Sequence, residues 1–226
     1  MKKRLFVMLC AICLVLNLCS TASATTFDVA ADFSATNNPN GVWSYGWSST
    51  LTSALNLYPN NYNDIGLDVW ADLGHISRGA PSVAYNGTGN AITQYENGIT
   101  WQPGQLSLHP GESGEYSHAR WTVPDAGIFN ISAMFTGIDQ NGTSTDVHVL
   151  HNGTSLFDGL VNGFGNTSSF STTVSVGTGD IIDFAVGYDG GGFWNDSTAL
   201  SATIVPEPAT LLLLGLGALS LLRKKK

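Results

Sequence analysis

Through the second half of this chain apolar residues alternate one by one instead of recurring every three or four positions, and that period constrains the fold most. Ile128, Asn130, Ser132 and Met134 fall on one side of an extended segment, with Phe129, Ile131, Ala133 and Phe135 on the other. Only a strand buried on one face uses such a pattern. The same period runs through Asp146–Leu150, is broken by Asn152-Gly153 (a turn pair that accepts positive φ), and resumes at Ser155-Leu156-Phe157. Phe170–Val176, a Gly177-Thr178-Gly179-Asp180 turn, Ile181–Val186 and Thr198–Val205 continue it. Upstream, strands are predicted near Thr26–Phe33, Val42–Trp47, Ser82–Tyr85, Ile99–Trp101, Leu106–Leu108 and Tyr116–Val123. Short strands separated by Gly, Asn and Pro turns predict an all-β fold, an antiparallel two-sheet β-sandwich or jelly roll. An up-and-down barrel is the second choice, and a parallel β-helix is disfavoured because no short repeat is present. Residues 48–80 are less regular, and Asp64–Gly74 is expected to hold a short helix or loop.

The ends are built differently. Lys2-Lys3-Arg4, an apolar run from Leu5 to Leu18 and the small residues Ala22-Ser23-Ala24 have the make-up of a secretory signal peptide, cut by signal peptidase after Ala24. At the other end Pro206-Glu207-Pro208 precedes an apolar stretch, Ala209–Leu222, and then Arg223 and three lysines. As a helix those fourteen residues would be about 21 Å long against a hydrocarbon core of roughly 30 Å, a weak anchor unless the basic cluster snorkels. The basic tail should stay cytoplasmic, with the rest of the chain across the membrane. The organisation is therefore a signal segment at 1–24, a body at 25–204 and a C-terminal segment at 205–226.

This C-terminal segment resembles a PEP-CTERM protein-sorting signal: Pro-Glu-Pro, a Leu/Gly/Ala-rich transmembrane helix and a basic end, in that order. The resemblance implies a Gram-negative, exopolysaccharide-producing setting. There a membrane protease, exosortase, recognises Pro206-Glu207-Pro208, removes the helix and leaves the protein at the cell surface or outside. Within the body, Leu106–Gly111, Arg120–Gly127 and Gly179–Phe184 resemble secreted bacterial β-sandwich modules and are similar to carbohydrate-binding jelly rolls. That similarity concerns fold and carries no ligand with it.

With the ends set aside, the body holds two cations, Arg78 and Arg120, against sixteen Asp and Glu, a balance of 2 − 16 = −14. Nothing so acidic follows a phosphate backbone, so nucleic acid is excluded as a partner. All three cysteines (Cys10, Cys13, Cys19) precede the body, which excludes disulfides, cysteine zinc sites and thiol nucleophiles there. No Gly-x-Ser-x-Gly elbow is present, and Gly87-Thr88-Gly89-Asn90 lacks the Lys and helix of a phosphate loop. His148 and His151 would be metal ligands on a helix, but a strand points them apart. Asp146 and His148 share a strand face and make at best a polar pair on the solvent side. His75, His109 and His118 show no site spacing. Asp189 and Asp196 bracket a glycine loop that suits Ca²⁺ better than any other segment, though no EF-hand spacing supports it. Trp43, Tyr45 and Trp47 alternate, so all three rings share a side: a sugar-stacking platform or, more simply, a buried strand face. Trp194, in the same glycine loop as the two acids, is the ring expected to be exposed. The sequence expectation is an exported, non-enzymatic surface or matrix protein associating with extracellular polysaccharide. A polysaccharide-active glycosidase or lyase is the alternative.

Overall fold

A computed structural model describes residues 25–77, 79–94 and 98–207; the flanking helices expected at the two ends, with Ala22, Ala24 and Pro208, lie outside the described residues. In chain order the strands are β1 (Phe27–Asp28), β2 (Trp43–Ser48), β3 (Asn56–Leu57), β4 (Asn60–Asp64), β5 (Leu67–Ala71), β6 (Ser82–Tyr85), β7 (Ile92–Gln94) and β8 (Ile99–Trp101). They are followed by β9 (Leu106–His109), β10 (Tyr116–Thr122), β11 (Gly127–Gly137), β12 (Ser144–His151), β13 (Thr154–Asn162), β14 (Thr167–Val176), β15 (Ile181–Val186) and β16 (Thr198–Pro206). An eight-stranded sheet runs β14-β11-β16-β9-β6-β5-β4 with β1 added on β16, a six-stranded sheet runs β13-β12-β15-β10-β2-β3, and β7-β8 form a separate hairpin. The fold is all-β, a sandwich of antiparallel sheets, with no helix among the described residues.

The core lies between the two large sheets. Trp43 and Trp121 are directly opposed on β2 and β10, and Tyr45, Val147, Val149 and Phe184 bury from the same sheet. Ile131, Phe135, Leu106, Leu108, Leu200 and Ile204 meet them from the other. Trp121 is wedged between Phe27 (centroids 5.3 Å apart) and Phe129 (5.2 Å, edge-on). Each such ring removes on the order of 150–250 Å² from water, which replaces the disulfides the body lacks. A second cluster, Leu67, Val69, Ile99, Trp101, Ile138 and Ala199, forms a separate core with Ile92 of β7 packed against it.

Alternation located the strands of the second half, and Asn152-Gly153 turns between β12 and β13 at φ 50° and 76°. Two expectations are corrected. The Thr26–Phe33 strand shrinks to β1, because the Asp28 carboxylate accepts from the Ala30 and Ala31 amides (2.9 Å each) and turns the chain. The helix or loop expected over Asp64–Gly74 begins instead as a β4–β5 hairpin about Ile65 and Gly66, at φ 49° and 102°. A β-branched residue at positive φ is rare, which is why this turn is not written in the usual residues. At the C-terminal end β16 runs through Pro206, and the compact unit spans Thr26–Glu207.

Candidate functional site

Trp43, Tyr45 and Trp47 do share one face, and it is the buried one. Trp43 and Tyr45 are 1% and 0% exposed, and Trp47 packs on the core while its ring stacks on His75 at 3.7 Å. The core has therefore taken the Trp43 and Tyr45 rings, while Trp47 is half-buried with one face of its ring covered by His75.

The opposite face of the same sheet gathers the polar chemistry. On β10 the alternate residues Tyr116, His118 and Arg120 point outward, flanked by Ser48 and Ser44 of β2 and by Asp183 of β15. Arg120 makes a bidentate pair with Asp183 (Nε–Oδ1 2.7 Å, Nη2–Oδ2 2.9 Å). His118 donates from Nε2 to Ser48 Oγ at 2.6 Å, since that hydroxyl gives its own proton to the Thr50 carbonyl at 2.8 Å. Its Nδ1 is buried without a partner. Burial pushes the His118 imidazole down to about 4, so it is neutral at pH 7 and Nδ1 presents a lone pair.

β12 and β13 extend the band. Tyr116 Oη donates to Asp146 Oδ2 at 2.8 Å, and His148 bridges Asp146 (Nε2, 2.8 Å) and Asp158 (Nδ1, 2.6 Å). Gly187 makes this approach possible, because a Cβ there would lie 2.4 Å from Asp146 Oδ1 and 2.5 Å from the Tyr116 ring. Burial disfavours charge on both Asp146 and His148. Bonds from His148, the Asp189 amide and Tyr116 nonetheless hold Asp146 at about 2, and the two carboxylates raise His148 above its ordinary value. For Tyr116, burial and then the bond to Asp146 push ionisation well above the usual range, so it stays a proton donor. Beside this network opens a cleft of about 390 Å³ lined by Gly114, Tyr116, Asp146, Tyr188, Asp189 and Gly190. Two phenol rings and two carboxylates therefore face one cavity.

The loop after β15 carries the remaining residues singled out in the sequence. Trp194 is 58% exposed and leans on Phe193 with centroids 4.7 Å apart. Asp189 is exposed and donates its amide to Asp146 Oδ1 (2.9 Å). Asp196 is buried: Oδ1 accepts from the Ser144 amide at 2.8 Å while Oδ2 has no partner. Burial, with repulsion from Asp139, Asp146 and Asp189, drives its carboxyl up to about 7 against that single bond. The two bracketing acids thus serve different surroundings, and among the described residues no three His, Asp or Glu side chains are arranged to hold a metal ion.

The Asp146–His148 pair was legible two residues apart. His118 and the Asp183 and Asp158 partners were not, because they meet only through the registers His118↔Ala185, Arg120↔Asp183 and His148↔Asp158. The signal available was the polar alternation Tyr116, His118, Arg120 along a single strand.

Comparison with known proteins locates the end of the chain first. Residues 205–226 match the PEP-CTERM protein-sorting motif, a signal of exported proteins anchored transiently through the C-terminus. No curated protein matches the chain in sequence. The body resembles carbohydrate-binding β-sandwich modules. One is CBM51 from Clostridium perfringens GH95 in complex with methyl-galactose, at 18% identity over 57% of this chain and 90% of that one, TM-score 0.37. Another is a family 35 carbohydrate binding module from Clostridium thermocellum, at 15% identity over 51% and 87%, TM-score 0.32. A CBM4 structure gives 13% identity over 66% and 96%, TM-score 0.33. With TM-scores this low, these likenesses transfer neither ligand nor site to this chain.

Proposed function

We propose that this is an exported, non-enzymatic protein of the cell surface or extracellular matrix that associates with exopolysaccharide through the outer face of its six-stranded sheet and Trp194. The observation that carries the destination is the sorting motif at residues 205–226, which implies processing by exosortase after signal peptidase has removed the leader. What narrows the ligand is the cleft at the edge of the band, where the Tyr116 and Tyr188 rings stand beside the fixed Asp146 carboxylate and the exposed Asp189. Sugar hydroxyls and the apolar faces of pyranose rings ask for that combination. The balance of −14 in the body repels anionic polymers, so the ligand is a neutral polysaccharide and needs no bridging Ca²⁺.

A binding role also suits the state of the polar groups. Tyr116 keeps its proton, His148 has both ring nitrogens engaged by carboxylates, and Arg120 is committed to Asp183. None of them is left to act as a base or to neutralise a uronate. The mature protein should be retained on isolated exopolysaccharide, with or without chelator, and release no reducing ends or unsaturated products. Trp194→Ala should weaken retention by about fivefold or more. Equal retention on polysaccharide-free resin contradicts the binding reading, and product release favours the enzyme.

A further inference from the structure

The last strand of the body and the first residues of the sorting motif are the same residues. The motif begins at residue 205, and β16 continues through Val205 and Pro206, paired opposite Asn130 and Phe129 of β11. The Glu207 amide donates to the Ile128 carbonyl at 2.8 Å. Asn130 Nδ2 donates to Glu207 Oε1 at 2.5 Å, and Asn130 Oδ1 in turn accepts from the Thr173 hydroxyl of β14 at 2.6 Å. Asn130 therefore clamps the motif from the neighbouring strand. Val205, Pro206 and Glu207 are each half-buried. Pro206 has no N–H to give, yet the ladder to β11 resumes at the Glu207 amide, so the proline does not keep the chain off the sheet.

A protease that reads an extended peptide needs main-chain and side-chain groups that a sheet has already engaged; one segment cannot pair with both. We propose that the folded body and the membrane protease compete for Val205–Glu207, so that the body masks the leading part of its own sorting motif. Processing then draws on molecules in which the end of β16 has come away from β11. This inference rests on the sorting function proposed above. Strand ends open far more readily than whole sheets, so the mask slows processing without abolishing it. Loss of one hydrogen bond shifts such an opening by about two- to tenfold.

The test follows conversion of precursor to the C-terminally shortened form of the full chain, pulse-labelled in the exporting host. Asn130→Ala removes the clamp and should speed conversion by about two- to tenfold. Asn130→Cys with Val205→Cys places two thiols at directly opposed positions, in a body that has no other cysteine. Antiparallel partners lie within disulfide reach, so oxidation should pin the strand end. Conversion of the oxidised form should slow at least about tenfold, and reductant should restore it, which also shows that the double variant folds. Conversion of the oxidised chain at the wild-type rate, or no acceleration in Asn130→Ala, overturns the masking. If the wild-type chain is never shortened, the sorting function itself falls and masking falls with it.

Discussion

On the outer face of the six-stranded sheet His118, His148 and Asp183 are nearly inaccessible, although all three are polar; on β11 and β14 of the eight-stranded sheet Ser132, Met134, Ser171 and Thr173 stand open to water. Both faces belong to strands with the same period, and both back onto the same core. They differ in how polar groups are satisfied. On the first, side chains satisfy one another across five strands: Ser48 with His118, Arg120 with Asp183, Asp146 with His148 and Asp158. On the second, side chains meet in short contacts such as Ser132 with Ser171 at 3.2 Å and Thr173 with Asn130 at 2.6 Å, and solvent does much of the rest. A network satisfied mostly within the protein holds its groups in fixed directions, which is what recognition of a ligand requires; a solvated hydroxyl face holds fewer.

If that contrast is real, substitutions should divide along it. The largest effect is expected at Arg120→Ala. Asp183 is 4% exposed and would be left as an unpaired buried charge, costing about 3–5 kcal/mol in urea unfolding. A cost below about 1 kcal/mol would place the pair with ordinary surface ion pairs.

An intermediate effect belongs to Asp196, at the sandwich end where the network fails to close. Its folded-state carboxyl is raised to about 7 from an ordinary 3.8, so the folded form binds the extra proton between those values. Stability is therefore fullest below about pH 4 and falls as pH rises through 7. Asp196→Asn should remove that decline and gain about 1–3 kcal/mol over wild type at pH 8, with little difference at pH 4. Parallel stability–pH curves for the two proteins would refute it. Smallest of all, Ser171→Ala on the open face should change stability by no more than about 0.5 kcal/mol. A larger loss would show that this face, too, depends on its side-chain contacts.

The same division explains what the amino-acid sequence disclosed. Period-two alternation gave the strands from β11 onward and placed Asp146 beside His148, because residues two apart on a strand share a face whatever the tertiary structure. It also put Trp43, Tyr45 and Trp47 together, yet alternation says only that they share a side; the core decided which. Partners far apart in the chain, such as Arg120 with Asp183, depend on strand register, set by packing across sheets. The β4–β5 hairpin was hidden because Ile65 occupies a positive φ that sequence rules reserve for Gly and Asn. The end of β16 was hidden for another reason. Pro206-Glu207 belongs to a motif and to a strand at once, and composition marks only the motif.

The most direct measurement is the intact mass of the protein recovered from outside the cell. Export and sorting as described here predict a chain that has lost residues 1–24 at one end and the apolar and basic tail at the other. A chain recovered there with Lys226 still attached, or one found only inside the cell, would contradict it.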